Sequence, residues 1–352
     1  MKYFLVLILY FLPVVRSDTG GIALSQSKKL DSLLIALKTV KEDTNKVNIL
    51  YRLSEECDEA DILKYAEPCL NLAEKLNFKS RIADAANNIG YAYDLKGQNV
   101  KGIEYYQKSL NIYKQINKKQ GIAEALNNIA NIYNNNGQIE KALEYHIMSL
   151  KISEEVNDKQ GIALSLNNIG AIYTSLGQIK KGLEYYFKAL KTREEINDRK
   201  GIATSLNNIG TIYNNQAMTL VRRTGSTNNY PRTDSLFNKA LPCFLRSLKV
   251  FEEIKDKQGI AGSLNNIGGI YLRQNQKDKA LEYFLKSLKI REETNNKQGI
   301  AYALINIGGI YNEKNNFNKA VQYAKKSLDL SKEIGYPENI RHASKIDRKS
   351  VV

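Results

Sequence analysis

One short phrase recurs six times along the chain: NNIGYAY from Asn87, NNIANIY from Asn127, NNIGAIY from Asn167, NNIGTIY from Asn207, NNIGGIY from Asn265 and INIGGIY from Ile305. The steps between copies are 40, 40, 40, 58 and 40 residues, so one unit repeats and one copy carries 18 extra residues. A fixed period of this size prescribes a solenoid, because a single unit cannot bury its apolar face alone and must stack on its neighbours. The 352 residues are therefore read as one elongated domain rather than several globular ones.

Within the unit that starts at Gly161, Leu166, Ile169, Gly170 and Tyr173 share one face of a helix. Gly177-Gln178 breaks that helix, and a second helical pattern follows through Ile179, Gly182, Leu183, Tyr186, Ala189 and Leu190 until Asn197-Asp198. Each unit is thus expected to be a hairpin of two antiparallel helices. Small residues recur where the two must approach: Gly90, Ala130, Gly170, Gly210, Gly268 and Gly308 in the first helix, and Ala142, Gly182, Ala240, Ala280 and Ala320 in the second. Tyr93, Tyr133, Tyr173, Tyr213, Tyr271 and Tyr311 fill the space one turn further on, ring packed and hydroxyl wet.

Leu166, Gly170, Tyr173, Gly182, Tyr186 and Ala189 stand in the spacing of the tetratricopeptide repeat, and the chain resembles that family over roughly residues 44–335. The period is six residues longer than the family's usual 34, which resembles its long-helix branch and the exported repeat regions of Bacteroidota sensor proteins. Two features depart from the pattern. His146 takes the aromatic place in the third unit, and the family's closing proline is missing. The resemblance implies an all-α, right-handed superhelical solenoid of stacked antiparallel helical hairpins. In such a stack the first helices line a concave groove that holds a protein or extended peptide segment.

The expected layout is a signal peptide over 1–25, a capping helix over 26–43, seven units over 44–335, and the start of a truncated eighth unit over 336–352. The leader rests on Met1-Lys2 followed by a 13-residue apolar run from Tyr3 to Val15 that ends at Arg16, with cleavage after Ser17 or Ser25. It points to an exported protein, periplasmic or at the cell surface, or alternatively to a membrane-anchored part of a longer one. The eighth unit stops in mid-pattern at IDRKSVV, and its last six residues, DRKSVV, coincide with one reading frame of a common sequencing adapter, so the end is read as that of a fragment. Pro68 and Pro242 fall within second helices and are expected to kink or shorten them. The 18 extra residues, 217–234, are expected to form a polar surface loop whose Arg222-Arg223 pair could touch a partner.

Stepping 100° per residue from the asparagine that opens each NN pair places Asn87, Asn127, Asn167, Asn207 and Asn265 away from the core, as a ladder along the groove. Asn131 and Asn134 join that face in the third unit, and Thr211 and Asn214 in the fifth. An asparagine carries both donor and acceptor, so such a ladder could grip the backbone of an extended peptide. The second asparagine of each pair, Asn88, Asn128, Asn168, Asn208, Asn266 and Asn306, is expected to bridge adjacent units.

Nothing in the chain suggests catalysis. It has two histidines, His146 at a packing position and His342 in the tail, and no phosphate-loop, metalloprotease or nucleophile-elbow motif. The acidic pairs Glu154-Glu155, Glu194-Glu195, Glu252-Glu253 and Glu292-Glu293 recur once per unit, which marks a solvated face. No cofactor is expected. Cys57, Cys69 and Cys243 lack the spacing of a metal site or a disulfide framework, so no metal is expected either. The net charge is +15, but the lysines are scattered among glutamates rather than gathered into a stripe, so nucleic acid is not the expected partner. Membrane contact is expected only if the native chain continues into a transmembrane helix. The expected function is a non-enzymatic protein- or peptide-binding scaffold. The alternative is the sensory region of a truncated membrane signalling receptor, with a histidine kinase, cyclase or DNA-binding regulator downstream.

Overall fold

The computed structural model describes residues 20–224 and 231–335, with side chains from 29 to 223 and from 231 to 335. It is a succession of helices with no strand among the described residues. A leading helix α1 (Gly20–Thr39) is followed by hairpins α2 (Thr44–Glu56) with α3 (Ile62–Lys75), α4 (Lys79–Leu95) with α5 (Asn99–Gln115), and α6 (Lys119–Asn135) with α7 (Ile139–Glu155). The stack continues through α8 (Lys159–Ser175) with α9 (Ile179–Glu195), α10 (Arg199–Thr224) with α11 (Pro231–Glu253), α12 (Lys257–Arg273) with α13 (Lys277–Glu293), and α14 (Lys297–Glu313) with α15 (Phe317–Glu333).

The polar pair between units works from both sides. Asn197 adopts a left-handed φ of 53°, which stops α9 and lets the Asp198 amide donate to the Arg193 carbonyl at 2.9 Å. The Asp198 carboxylate then accepts from the Gly201 amide at 2.9 Å and caps α10. Asp158, Asp256 and Asn296 cap α8, α12 and α14 in the same way. The hairpin bend itself uses Gly97, Gly137 and Gly177, also at positive φ.

The small residues do what their spacing predicts. A methyl placed on Gly90 would meet the Tyr106 ring at 2.8 Å, and one on Gly210 would meet Phe244 at 2.8 Å. Both rings are fully buried. The repeated tyrosines stack on a second tyrosine of the same hairpin, with centroids 5.4–5.6 Å apart in Tyr93–Tyr105, Tyr173–Tyr185, Tyr271–Tyr283 and Tyr311–Tyr323. A lysine lies over each first ring, as Lys181 does over Tyr173 at 4.4 Å. A row of buried serines pins the helices further: Ser149, Ser247, Ser287 and Ser327 donate to the carbonyls of Ala123, Ala203, Ala261 and Ala301. The recurrent acidic pairs lie at the surface. Glu155, Glu195 and Glu293 pair with Lys119, Lys159 and Lys257 at the far end of their own hairpins, exposed contacts worth about 0–1 kcal/mol each.

Three expectations need correction. The inserted residues are not a loop over 217–234: α10 runs on to Thr224 and α11 already begins at Pro231. Ala217 is fully buried beside Phe237 and Ala240 with Met218 packed against them, so the added segment extends the hairpin core instead of leaving it. Pro68 and Pro242 sit inside continuous helices and end neither; both face solvent. The leading helix begins at Gly20, so it starts within the expected leader segment, and Asp43 serves as the cap of α2 rather than as part of α1. Residues 1–19 and 336–352, including His342, lie outside the described residues.

Neighbouring first helices pack directly on one another, α4 on α6, α6 on α8 and α10 on α12. Neighbouring second helices are instead linked by long side chains that reach across, Lys108 to Glu74 and Arg246 to Glu194, each at 2.6 Å. First helices that touch while second helices splay make a stack that curves, with the first helices on the inside. No described helix is long and apolar enough to cross a membrane.

Candidate binding groove on the first helices

The asparagine pairs form a ladder, but one in which each rung joins two units. Asn128, Asn168, Asn208, Asn266 and Asn306 donate to the side-chain oxygens of Asn87, Asn127, Asn167, Asn207 and Asn265 at 3.1, 3.1, 3.3, 2.9 and 3.3 Å. Every opening asparagine therefore uses at least one of its two acceptor sites within the stack.

Two of the five are also closed to a ligand. Asn87 is 6% exposed because Glu124 covers it and takes its amide at 2.8 Å. Asn127 is 3% exposed, with His146 Nδ1 at 2.9 Å from its oxygen as well as Asn168. Expecting these two to face a peptide is thus wrong: the helical wheel set their direction but not what the next hairpin lays over them. Asn167, Asn207 and Asn265 are half-buried, and the amide nitrogens of Asn207 and Asn265 carry no hydrogen bond among the described residues.

The other expected groove residues lie along the same wall. Asn131 is half-buried and accepts from Asn168 at 3.3 Å. Thr211 donates to the Asn207 carbonyl at 2.9 Å, while Asn134 and Asn214 are half-buried. Arg222 and Arg223 are exposed, carried by the last turn of the lengthened α10 instead of a loop.

Counting only forward from each opening asparagine misses a row. The residue three places before it falls at the same angle on the wheel, between the positions four and eight places after it. That row is Asp84, Glu124, Leu164, Thr204, Gly262 and Tyr302. Leu164 and Tyr302 are exposed large side chains at 37% and 45%. Arg273, eight places after Asn265, is exposed too.

Electrostatics reveal the shape of this wall. Glu124 is open to solvent, yet burial raises its pKa, with the charges of Glu55 and Asp84 adding to the effect. Arg273 is likewise open, yet burial lowers its pKa; the nearby Glu313 charge and Tyr302 oppose that shift, and the Arg222 charge adds to it. Both groups thus combine solvent access with dense surrounding protein, as side chains on the inner wall of a curved stack do. Burial raises Asp94 as well. The N-terminal part of the wall is thus acidic, around Glu55, Asp94 and Glu124, and the C-terminal part presents Arg222, Arg273 and the Tyr302 ring.

The hydroxyls of Ser109, Ser153 and Ser331 and the side-chain oxygen of Asn215 are buried without a hydrogen bond among the described residues, while the buried ionisable groups are held or neutralised internally. Asp84 accepts from Arg81, Lys118 and the Tyr113 hydroxyl at 2.7, 3.0 and 2.7 Å. His146 is fully buried, and burial pulls its pKa down to about 4, which keeps it neutral. Cys69 is buried against the Val47 carbonyl, and burial pushes its thiol up to about 12, far from a reactive thiolate. No group of histidine, cysteine or acidic residues fit to hold a metal ion occurs among the described residues.

A family model described as tetratricopeptide repeat matches residues 121–195, 232–293 and 278–333, and a second of the same description matches 83–116. No curated protein matches the chain. Among solved structures, the chain is similar to the apo form of RapI, with 16% identity, 82% of this chain and 99% of that one covered, and a TM-score of 0.59. A Rap protein complexed with competence and sporulation factor gives 14% identity, 94% of each chain covered and a TM-score of 0.57. The Cut9–Hcn1 hetero-tetramer of the APC/C gives 16% identity, 93% of this chain, 53% of that one and a TM-score of 0.60. These likenesses are of fold.

Proposed function

Because the chain belongs to the tetratricopeptide repeat family, we propose that it is a non-enzymatic scaffold whose inner wall holds an extended segment of a protein partner. The observation that carries this reading is the inner wall itself: Glu124, Leu164, Arg273 and Tyr302 are exposed on the same face of the first helices as the unbonded amides of Asn207 and Asn265, and burial shifts the pKa of Glu124 up and that of Arg273 down. A desolvated charge at a concave surface gains more from an opposite charge than an exposed one does. The exposed Leu164 supplies an apolar anchor between the charged ends and Tyr302 another beside Arg273, and the free amides of Asn207 and Asn265 can reach main-chain carbonyls. The fitting segment is bipolar: cationic where it meets Glu55, Asp94 and Glu124, anionic where it meets Arg222 and Arg273. That a Rap protein of similar fold was solved with competence and sporulation factor, and Cut9 with Hcn1, is in keeping with a binding role.

The test is a selection of displayed random 15-residue peptides on the full chain, followed by affinities for a variant carrying Leu164→Glu, Arg273→Glu and Tyr302→Ala. Loss of three central contacts should weaken the selected peptides by more than about tenfold. Peptides that bind the variant as they bind the parent would rule out the inner wall.

The Met1–Arg16 pattern supports export of this scaffold, and the mass of the chain recovered from its native host tests it. A mass that retains the first residues argues against cleavage.

A further inference from the structure

Along the sequence the basic residues are scattered, but the fold sorts them. The asparagine rungs join the same positions at every step, so successive hairpins stand in register and their bends line one edge of the stack. The acidic pairs Glu154-Glu155, Glu194-Glu195, Glu252-Glu253 and Glu292-Glu293 all lie at the opposite edge, in the last turns of α7, α9, α11 and α13. The bends of the last four units are left basic. The fourth bears Lys180 and Lys181, and the fifth Arg222, Arg223 and Arg232. The sixth bears Arg273, Lys277 and Lys279, and the seventh Lys314 and Lys319. Three carboxylates stand among them, Asp234, Asp278 and Glu313. Asp278 pairs with Lys314 and Glu313 with Lys277, so Asp234 is the one unpaired carboxylate among the described residues of these bends. One turn further along the second helices, Glu184 and Glu282 are taken by Lys188 and Lys286 at 2.9 and 2.6 Å. The first helices α8, α10 and α12 contain no acidic residue. No ring of free carboxylates therefore offsets this edge.

Packing explains one base in each bend, because Lys181, Lys239, Lys279 and Lys319 lie over the rings of Tyr173, Tyr213, Tyr271 and Tyr311. It does not explain Lys180, Arg223 or Arg232, which are exposed and make no ion pair or ring contact among the described residues. The two arginines belong to the inserted residues 217–234, which hold three arginines and no lysine in a chain whose usual base is lysine. The lengthened α10 carries Arg223 about 12 Å beyond the bends on either side, eight further residues at 1.5 Å each. Two exposed apolar side chains share the edge, Leu176 in the fourth bend at 48% and Phe317 in the seventh at 45%.

We propose that this edge seats the protein on an anionic lipid bilayer, with headgroup phosphates against Lys180, Arg223 and Arg232. An edge that projects cannot surround a ligand as the inner wall can; it can only rest on a surface. Unpaired bases beside exposed apolar side chains match an interface where phosphates overlie acyl chains. A nucleic-acid backbone would answer the bases but offer Leu176 and Phe317 nothing. Arginine suits phosphate better than lysine does, since its planar fork donates two parallel hydrogen bonds. Contact is confined to the last four units, because the bend of the first carries exposed Asp58, Glu59 and Asp61. A second copy of this chain is disfavoured by its net charge of +15.

The test is co-sedimentation of the full chain with vesicles of phosphatidylcholine mixed with phosphatidylglycerol, and with vesicles of phosphatidylcholine alone. The readout is the difference between the two, so that any contribution of the apolar run 3–15 cancels. Anionic vesicles should retain more of the chain, and the excess should fall steeply with added salt. Lys180→Glu/Arg223→Glu/Arg232→Glu should bind anionic vesicles at least about tenfold more weakly. Leu176→Ser/Phe317→Ser should weaken binding as well, and leave what remains more sensitive to salt. All five positions are exposed, so both variants should fold; helical circular dichroism and the urea midpoint verify this. Leu164→Glu/Tyr302→Ala should bind vesicles as the parent does, which separates this edge from the inner wall. Three outcomes overturn the proposal: no excess on anionic vesicles, an excess that the triple variant keeps, or binding to polyglutamate or duplex DNA in place of vesicles that the triple variant loses.

Discussion

Two glycines of similar place in the hairpin should answer the same substitution with opposite signs. Gly210 and Gly269 both lie inside first helices, where replacing glycine by alanine contributes about 1 kcal/mol through backbone propensity. At Gly269 nothing stands within 4 Å of the added methyl, so Gly269→Ala should keep most of that gain, about 0.5–1 kcal/mol. At Gly210 the methyl falls 2.8 Å from Phe244 Cε1 and 3.0 Å from Cδ1 and Cζ, well inside the roughly 3.5–4.0 Å at which carbon atoms attract. Phe244 is 1% exposed and has no room to withdraw, so overpacking of about 1–3 kcal/mol outweighs the propensity gain. The third unit shows how the conflict is avoided: Ala130 takes the glycine's place where His146, smaller than a tyrosine, takes the ring's. Urea unfolding followed by helical circular dichroism compares the two variants at unchanged slope. Gly210→Ala should unfold earlier than the parent and Gly269→Ala later, about 2 kcal/mol apart. A Gly210→Ala chain as stable as Gly269→Ala would refute the close-approach account of the repeat.

Other consequences can be measured on the same footing. His146 is neutral in the fold, with its pKa lowered to about 4 from 6.5, so the unfolded chain binds a proton that the folded one refuses. Its contribution is complete above pH 6.5 and is lost as pH falls toward 4, by about 1.4 kcal/mol per pH unit. His146→Phe, the residue that Phe244 and Phe284 supply elsewhere, should flatten that part of the stability–pH curve; a curve unchanged in slope would contradict the burial of a neutral ring. Asn168→Ala strips Asn127 of one inter-unit hydrogen bond and should cost about 1–3 kcal/mol, with faster amide exchange concentrated in α6 and α8. Exchange unaltered there would show the ladder to be incidental. Ala217→Asp should destabilise the fifth hairpin by several kcal/mol if the inserted residues extend its core, because the charge would sit fully buried without a partner. Tolerance of aspartate would restore the loop reading.

The period, the hairpins and the small-against-aromatic packing were legible because every unit repeats them, and a repeated position reports the stack rather than one locale. The bridging role of the second asparagine was legible for the same reason. Burial of Asn87 and Asn127 was not, since it depends on Glu124 and His146, residues that only these units carry. Nor was the helical course of 217–224 and 231–234 within the 18 extra residues, where Ala217 and Met218 show their purpose only beside Phe237. The charge polarity of the inner wall escaped as well. Glu124 and Arg273 stand on different turns of different units and meet on one wall only through the curvature of the stack.

The most direct test of that wall as the binding surface is photo-crosslinking in the native host. p-Benzoylphenylalanine placed at Leu164, on the inside of the curve, should yield a discrete adduct with a partner protein, and adding Arg273→Glu should abolish it. Failure of the Leu164 probe to capture any partner, or capture indifferent to Arg273→Glu, would contradict a groove that receives its ligand along the first helices.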